Sequence, residues 1–137
     1  MSDININIRE EMLSMATEAC KRAYAPHSGY RVGVCLRTEE GKYYCGCNIE
    51  NAAFTPTSCA ERTALFTAVY EGERRFTAIA IVCSGDEPAY PCGVCRQALS
   101  EFCSGEMPVF VRSASGKEGQ KTMAELLPFS FGKADVL

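Results

Sequence analysis

The sequence predicts an α/β fold in which helices cover a mixed sheet. Segments with the 3.6-residue period of a helix alternate with short apolar or alternating segments, in the order α-β-β-α-β-α-β-α. One segment, Phe76–Cys83, is apolar except for Thr77, which is typical of a central strand buried on both faces. A length of 137 residues fits a single domain over residues 1–137, with a core that needs no disulfides.

The N-terminal part contains one helix and a hairpin. Residues 1–7 alternate Asn and Ile, and we interpret them as a mobile tail. Apolar residues at helical spacing predict an amphipathic helix over residues 8–24, which Pro26 ends. Period-2 alternation predicts a strand over residues 30–37, and a second strand returns over residues 42–48 after a turn that contains glycine.

The remaining elements are bounded by capping and turn residues. Ser58 suits the N-cap of the second helix and Gly72 its end, while Pro91 suits the first turn of the third. In chain order the predicted elements are a helix over 59–70, a strand over 76–83, a helix over 92–103, a strand over 107–112 and a helix over 122–127.

Composition excludes several partners. The net charge is −3 and the basic residues are scattered, so we expect no nucleic-acid partner. The N-terminus lacks the pattern of a secretory signal, and the longest apolar run is too short to span a bilayer, so we expect no membrane association. Nine cysteines, an odd number, then indicate reduced thiols in a cytoplasmic protein, some of them on a metal.

The most informative motif combines Cys59-Ala60-Glu61 with Pro91-Cys92-Gly93-Val94-Cys95. Three thiols can close three corners of a tetrahedral Zn²⁺ site and leave the fourth to water, as in catalytic zinc sites. Glu61 would then transfer protons beside the metal. Both motifs fall at predicted helix N-termini, whose partial positive charge offsets the excess negative charge of three thiolates on one Zn²⁺.

Two arginines follow the motifs, and other uses of the cysteines remain open. Arg62 and Arg96 are each placed to donate hydrogen bonds to the thiolates. A fourth protein ligand would make this a closed structural zinc site instead. The Cys-x-x-Cys pair alone is also compatible with a redox-active pair of thiols. The candidate fourth ligands are Cys47, Cys83 and His27. The cysteines interpreted as core or surface thiols are Cys20, Cys35, Cys45, Cys83 and Cys103.

With these residues in view, the chain resembles the small homotetrameric cytidine deaminases of pyrimidine salvage over about residues 10–131. The motifs that carry the resemblance are Ala25-Pro26-His27-Ser28, residues 46–53 with Asn48-Ile49-Glu50-Asn51 at their centre, Cys59-Ala60-Glu61-Arg62-Thr63-Ala64, residues 91–97 and Leu126-Leu127-Pro128. The resemblance implies a three-layer α-β-α fold with a mixed sheet of about five strands. It also implies hydrolysis of cytidine and 2′-deoxycytidine to uridine and 2′-deoxyuridine with release of ammonia.

The resemblance also implies residue roles. One Zn²⁺ per chain would be bound by Cys59, Cys92 and Cys95, with Glu61 as the proton shuttle. Asn48 and Glu50 would bind the ribose, and the backbone at Ala60 and Cys92 would bind the edge of the pyrimidine. Tyr30 would pack against the base, and Phe131 of a neighbouring subunit would stack on the base. The active sites of a homotetramer would thus be shared. Phe54 and His27 depart from the family, which has tyrosine at both positions.

The residues by themselves leave other interpretations open. Asn48 and Glu50 face the same way on a strand and could grip a diol, or they could form a polar strand end that caps a turn. A deaminase of an aminonucleoside antibiotic of the blasticidin type would share the zinc motifs but not the segment from Asn48 to Asn51. A non-enzymatic zinc module that binds protein partners would have a closed fourth position.

Overall fold

The computed structural model describes residues 4–136, which form a five-stranded sheet between two layers of helices. In chain order the elements are α1 (Ile6–Cys20), β1 (Val32–Thr38), β2 (Tyr43–Cys47), α2 (Ala60–Tyr70), β3 (Phe76–Cys83), α3 (Gly93–Ser100), β4 (Pro108–Arg112), β5 (Glu118–Thr122), α4 (Met123–Leu126) and a short 3-10 turn (Lys133–Asp135). The predicted α/β class, mixed sheet and three layers are confirmed.

The sheet has the strand order β2-β1-β3-β4-β5. β1 is antiparallel to both β2 and β3, β3 and β4 are parallel, and β5 is antiparallel to β4. Every residue of β3 is buried, as its largely apolar sequence predicts for a central strand. The crossover from β3 to β4 contains α3, so the end of β3 lies beside the start of that helix.

Alternate residues of the strands form two cores. Val34 and Ile79 pack with α2, α3 and α4 on one face, whereas Cys35 and Ala80 pack with α1 on the other. Helix α1 presents fully buried Met12 to that second core. Because α2 and α3 share a face, their N-termini can meet at one edge of the first core.

Helix α1 differs from its prediction at both ends. It begins at Ile6, and the side chain of Asn5 caps it by accepting a hydrogen bond from Ile8 N at 2.9 Å. Residues 6 and 7, predicted as part of a tail, are therefore its first turn, while residues 1–3 of that tail lie outside the described part. At the other end, Tyr24 leaves the helix because its backbone pairs with the chain on either side of Ile49.

The strand pattern missed β5. Its sequence, Glu-Gly-Gln-Lys-Thr, lies at the edge of the sheet and is largely exposed, so it carries no apolar alternation. Backbone pairing with β4, from Pro108 opposite Thr122 to Arg112 opposite Glu118, is what makes it a strand. Thr122 then caps α4 in a capping box with Glu125.

Candidate active site

Three cysteine thiols converge where α2 and α3 begin. Cys59 and Cys92 are the N-cap residues of the two helices, and Cys95 lies in the first turn of α3. The three Sγ atoms lie within 4.8 Å of one another, and those of Cys59 and Cys92 are 3.8 Å apart. Two sulfurs bound to one tetrahedral zinc at about 2.3 Å are separated by about that distance, so the donor set fits Zn²⁺.

The thiol cluster has three members and borders a cavity. Within residues 4–136, no fourth Cys, His, Asp or Glu completes it as a metal site. Of the candidate fourth ligands, Cys83 donates to the carbonyl oxygen of Glu87 at 3.1 Å, and His27 lies in a turn that contacts Glu50. The closed structural site considered from the sequence is therefore not formed by the described residues.

Arg62 provides positive charge at the cluster. Its Nη2 donates to the Sγ of Cys59 at 3.4 Å. Hydrogen bonds from Cys95 and Arg62 lower the pKa of Cys59 to about 5, although burial opposes the shift. Hydrogen bonding to Cys59 and Cys95 in turn raises the pKa of Arg62, so the guanidinium stays charged. This arrangement favours the thiolate form of Cys59, whereas the same hydrogen bond between Cys59 and Cys95 raises the pKa of Cys95.

Arg96 differs from its prediction. Its Nε donates to the carbonyl oxygen of Pro91 at 2.6 Å, and its Nη1 donates to that of Leu126 at 2.8 Å. The guanidinium thus binds two backbone carbonyls instead of a thiolate, because α3 directs it away from the sulfurs and toward α4. It fixes the residue just before Cys92, and its effect on the cluster is positional.

Glu61 is a buried carboxyl group beside the thiols. It is only 5% exposed and lines the same cavity as Cys59 and Cys92. Burial raises the pKa of Glu61 to about 7, and the negative charge of Cys59 adds to the shift while Arg62 opposes it. A carboxyl group with these properties can exchange protons near neutral pH.

The cavity has a volume of about 210 Å³ and lies between the thiols and the start of β1. Every residue predicted to contact the substrate, except Phe131, lines this cavity. These residues are Tyr30, Asn48, Glu50, Ala60 and Cys92, with Val32, Thr57, Ser58, Cys59, Glu61, Ile81, Ala89 and Tyr90 completing the wall. The structure therefore brings together two motifs that lie far apart in the sequence.

Asn48 is held rigidly at the cavity. Its Oδ1 accepts a hydrogen bond from Val32 N at 2.9 Å, and its Nδ2 donates to the carbonyl oxygen of Tyr30 at 2.8 Å. An amide oxygen accepts two hydrogen bonds and an amide nitrogen donates two, so one N–H of Asn48 remains for a ligand. These two hydrogen bonds also fix the backbone of Tyr30 just before the start of β1.

Glu50 is held by the turn that contains His27. Its Oε1 accepts from the backbone N–H groups of His27 at 2.8 Å and Ser28 at 3.1 Å, and its Oε2 accepts from the Ser28 hydroxyl. The Ser28 hydroxyl is the largest cause that lowers the pKa of Glu50. The sequence did not reveal this support, because the two segments are 22 residues apart and no local pattern links them.

Tyr90 is a wall residue that the sequence reasoning missed. It directly precedes Pro91 and the Cys92 motif, which was the only local signal that it lies near the site. Its hydroxyl reaches β5, where it lies over Gly119. Tyr30, which was predicted to pack against the base, lies in the cavity wall, and burial raises the pKa of its hydroxyl.

The C-terminal aromatic residues lie outside this cavity. Phe131 is 61% exposed and does not line it, and Phe129 is fully exposed. The side chain of Gln97 in α3 donates to the backbone oxygen of Phe131 at 3.0 Å, which holds the segment against the helix that carries Cys95. The Phe131 ring is thus free to contact a neighbouring molecule.

Comparisons with known proteins agree with this architecture. A model of the cytidine and deoxycytidylate deaminase zinc-binding region matches residues 6–111. A cytidine deaminase from Sporosarcina psychrophila is 46% identical over 127 residues, which are 93% of this chain and 93% of that protein. One from Halalkalibacterium halodurans is 41% identical over 128 residues, covering 93% of this chain and 97% of that protein.

A solved structure shows the same fold. The crystal structure of cytidine deaminase from Burkholderia pseudomallei superposes with a TM-score of 0.85 at 40% identity, covering 89% of this chain and 98% of that one. The sheet, the thiol cluster and the buried carboxyl group define a zinc-dependent deaminase. The chain belongs to the cytidine and deoxycytidylate deaminase family, and its three thiols are positioned to bind the zinc of that family.

One further property concerns the helices. Within residues 4–136, none of them has both the length and the apolar character needed to cross a membrane.

Proposed function

We propose that the protein hydrolyses the 4-amino group of cytidine and 2′-deoxycytidine, releasing ammonia and the uracil nucleoside. The observation that carries this proposal is the common cavity of the thiol cluster, buried Glu61 and the polar pair Asn48 and Glu50. The likeness to cytidine deaminases at 46% and 41% identity supports the same reaction.

Cys59, Cys92 and Cys95 would hold one zinc per chain. Zinc in such a site lowers the pKa of a bound water molecule, which makes it a nucleophile at neutral pH. Arg62 adds to the larger effect of the Cys95 hydrogen bond in lowering the pKa of Cys59, and it compensates part of the negative charge of three thiolates. Arg96 fixes Pro91 and therefore the approach of Cys92 to the cluster.

Glu61 transfers the protons of the reaction. It accepts a proton from the water that adds to C4 of the pyrimidine and delivers a proton to N3. It then takes the proton of the hydroxyl now on C4 and passes it to the amino group, so that the C4–N bond breaks, the C4 carbonyl forms and ammonia leaves. Because the side chain is 5% exposed, bulk water competes little for these protons. A single positioned acid–base group of this kind contributes about 10²–10⁴ in rate.

Asn48 and Glu50 would orient the sugar through one hydroxyl. Asn48 has one N–H left, and a carboxylate with about four acceptor positions has three of them filled at Glu50. One free donor and one free acceptor complement a single hydroxyl, which both donates and accepts. We assign that hydroxyl to the 3′ position, which cytidine and 2′-deoxycytidine share.

The base would lie between the wall and the start of α2. Tyr30 packs against the ring, and the backbone at Ala60 and Cys92 is placed to bind the pyrimidine edge, because the first N–H groups of a helix have no partner within it. A homotetramer completes the proposed site, with Phe131 of a neighbouring subunit stacked on the pyrimidine. A cytoplasmic role in pyrimidine salvage fits nine free thiols.

Ammonia release from cytidine, measured with zinc content, tests the proposal. We expect turnover of cytidine and 2′-deoxycytidine, very little turnover of free cytosine, and one zinc per chain. The matched control is Glu61→Gln, which should keep the zinc and the fold while turnover falls by about 10²–10⁴. A zinc-loaded protein that leaves both nucleosides unchanged would contradict the proposal, as would a Glu61→Gln variant with near-normal turnover.

A further inference from the structure

The adjacent strands β1 and β2 place two thiols directly opposite each other, away from the zinc site. Cys35 of β1 pairs with Cys45 of β2 in the antiparallel register. Cys35 is fully buried on the α1 face of the sheet, whereas Cys45 is exposed on the edge strand. Neither residue lines the substrate cavity, so the proposed reaction leaves this pair without a role.

The hydrogen-bonding pattern makes this pair a close one. At one end of the ladder Thr38 N donates to Lys42 O, and at the other Asn48 N donates to Val32 O. Hydrogen-bonded and non-hydrogen-bonded pairs alternate along an antiparallel ladder. Counting inward from either end, Cys35 and Cys45 form a non-hydrogen-bonded pair, for which the Cα atoms are about 4.5 Å apart.

That separation suits a disulfide bond. Bridged cysteines have Cα atoms roughly 4.4–6.8 Å apart, and pairs at directly opposed strand positions already have Cβ atoms that face each other. Closing the bond therefore requires no change of register between β1 and β2.

The two thiols are also chemically unequal. The interaction with Cys35 lowers the pKa of Cys45 to about 7, against the effect of burial. The same contact raises the pKa of Cys35, and Glu11 of α1 adds to that effect. Cys45 borders a groove of about 470 Å³ between α1 and the edge of the sheet, which gives a small reagent access to its sulfur. An accessible thiolate beside a buried thiol has the arrangement of an attacking and a resolving cysteine.

We propose that Cys45 and Cys35 form a redox site that reacts with hydroperoxides and closes to a reversible disulfide. In the first step the Cys45 sulfur attacks the O–O bond, which breaks to give a sulfenic acid on Cys45 and releases water from hydrogen peroxide or an alcohol from an organic hydroperoxide. In the second step the Cys35 sulfur attacks the Cys45 sulfur, the S–S bond forms and the sulfenic oxygen leaves as water. The two thiols lose two electrons, which reduce the hydroperoxide; a thiol reductant reverses the bond by exchange.

Peptide mapping of the zinc-loaded full chain after hydrogen peroxide tests this. Trypsin cuts after Arg31, Arg37, Lys42 and Arg62, so Cys35 is the only cysteine in residues 32–37, while residues 43–62 contain Cys45 together with Cys47 and Cys59. We expect these two peptides to be joined in non-reducing conditions and separated by dithiothreitol. Zinc content, measured in parallel, should stay constant while the bond forms, which separates this reaction from oxidation of the zinc ligands.

Cys47 provides the matched control. It lies on the same strand and face but opposite Gly33, and burial raises the pKa of its thiol. Cys47→Ser should leave the joined peptides unchanged, whereas Cys45→Ser should abolish them. With Cys35→Ser, which keeps a hydroxyl donor beside Cys45 but cannot form the disulfide, Cys45 should accumulate as a sulfenic acid that dimedone traps. An alkylating reagent at neutral pH should label Cys45 at least about tenfold faster than Cys47, in proportion to thiolate content.

Several results would overturn the inference. The inference is wrong if the peptides 32–37 and 43–62 do not become linked by a disulfide, or if they are still linked in Cys45→Ser. It is also wrong if Cys45 is oxidised to the sulfinic acid while Cys35 stays a free thiol. Absence of any reaction at Cys45 in the zinc-loaded protein would also overturn it, because the thiol would then be inaccessible in the assembled molecule.

Discussion

Gly46 of β2 lies against the backbone of Ala60 at the start of α2. A Cβ atom at position 46 would lie 2.7 Å from the carbonyl oxygen of Ala60 and 2.6 Å from the N atom of Ala64. Both neighbours are backbone atoms in the turn that follows the Cys59 ligand, so they cannot rotate away. The strand that leads to Asn48 and the helix that begins at the thiol cluster are therefore set at a distance that only glycine allows.

Gly46→Ala should therefore separate the two halves of the site. We expect the free energy of unfolding to fall by about 1–3 kcal/mol, as for an overpacked core, and kcat/KM for cytidine to fall with it. Urea unfolding and initial rates measure the two effects. Gly132→Ala is the control, because nothing lies within 4 Å of a Cβ there and its stability should change by less than about 0.5 kcal/mol. Equal stability of the two variants would contradict the close contact.

The contact between Gly119 and Tyr90 predicts a rescue. A Cβ at Gly119 would lie 2.5 Å from the Tyr90 hydroxyl but 3.5 Å from the ring carbon that bears it. Gly119→Ala should therefore displace Tyr90 from the cavity wall and lower both stability and cytidine turnover. Adding Tyr90→Phe removes the clashing oxygen and should recover part of the loss, with a coupling energy of about 0.5–3 kcal/mol. Additive effects in the double variant would show that the hydroxyl is not the obstacle.

Replacing Arg62 should mainly weaken zinc binding, whereas replacing Arg96 should mainly lower stability. Arg62→Ala removes the donor to the Cys59 sulfur, so zinc retention against a competing chelator should weaken by about 10–100-fold. Arg96→Ala instead frees the carbonyl oxygens of Pro91 and Leu126, so its main effect should be lower stability. Unchanged zinc affinity in Arg62→Ala, with a large rise in KM, would assign this guanidinium to the substrate.

The sequence predicted the zinc cluster because its signals are local. Cys59 and Glu61 are two positions apart, Cys92 and Cys95 are three positions apart, and both motifs begin a helix. The caps differ from their prediction, because Cys59 and not Ser58 is the N-cap of α2, and Pro91 precedes the N-cap Cys92 instead of lying in the first turn of α3. A pattern of this kind survives any error in the rest of the topology. The structure accordingly places the three sulfurs together as predicted.

The contacts that position the site residues could not be predicted from local sequence patterns. The turn at Ser28 reaches Glu50, Arg96 reaches Leu126 and Tyr90 reaches β5 only through tertiary contacts. Strand β5 itself depends on pairing with β4 and not on its own apolar pattern. Arg96 was assigned to the sulfurs because it follows a ligand in sequence, but the direction of its side chain is set by the packing of α3 against α4.

The support of Glu50 by Ser28 predicts a shift in pH dependence. A lowered pKa means that the carboxylate is present above that pKa and that its acceptor role is lost as the pH falls through it. Ser28→Ala removes the largest cause of the lowering, so the pKa should rise toward its ordinary 4.5. Uridine, the proposed product, should compete with cytidine for the site, so its inhibition constant reports sugar binding. The acid limb of the pH profile of that constant should then move to higher pH in Ser28→Ala.

His27→Ala is the matched control for that shift. His27 donates to Glu50 through its backbone N–H, which alanine retains, so this variant loses only the smaller charge effect of the imidazole and its profile should shift less than that of Ser28→Ala. Because the two variants share the same zinc cluster, a difference between them isolates Glu50. Identical profiles for Ser28→Ala and His27→Ala would contradict the dependence on the Ser28 hydroxyl.

Removal of the C-terminal segment tests the shared active site. Phe131 is largely exposed and lies outside its own cavity, so in the proposed tetramer its ring acts on a neighbour. A chain that ends at Pro128 should keep its zinc and most of its stability, since Phe129 and Phe131 bury little surface. Its cytidine turnover should fall sharply, because each site loses an aromatic contact worth about 0.5–1.5 kcal/mol beyond its buried area and is opened to water. Metal analysis, thermal unfolding and initial rates separate these effects.

Mixing two inactive chains distinguishes a neighbour's ring from one that acts within its own chain. The truncated chain retains Glu61 but lacks Phe131, and a full-length Glu61→Gln chain retains Phe131 but lacks the proton-transferring carboxylate. If sites are shared, a mixed oligomer contains some cavities with both groups, so co-refolding with excess Glu61→Gln should restore turnover that neither chain has alone. A Glu61→Gln, Phe131→Ala chain is the matched control and should restore less, because it supplies subunits without the ring. Mixed oligomers, verified by mass, that show no recovery would mean that Phe131 does not complete a neighbour's site, and an active monomer would contradict the shared site altogether.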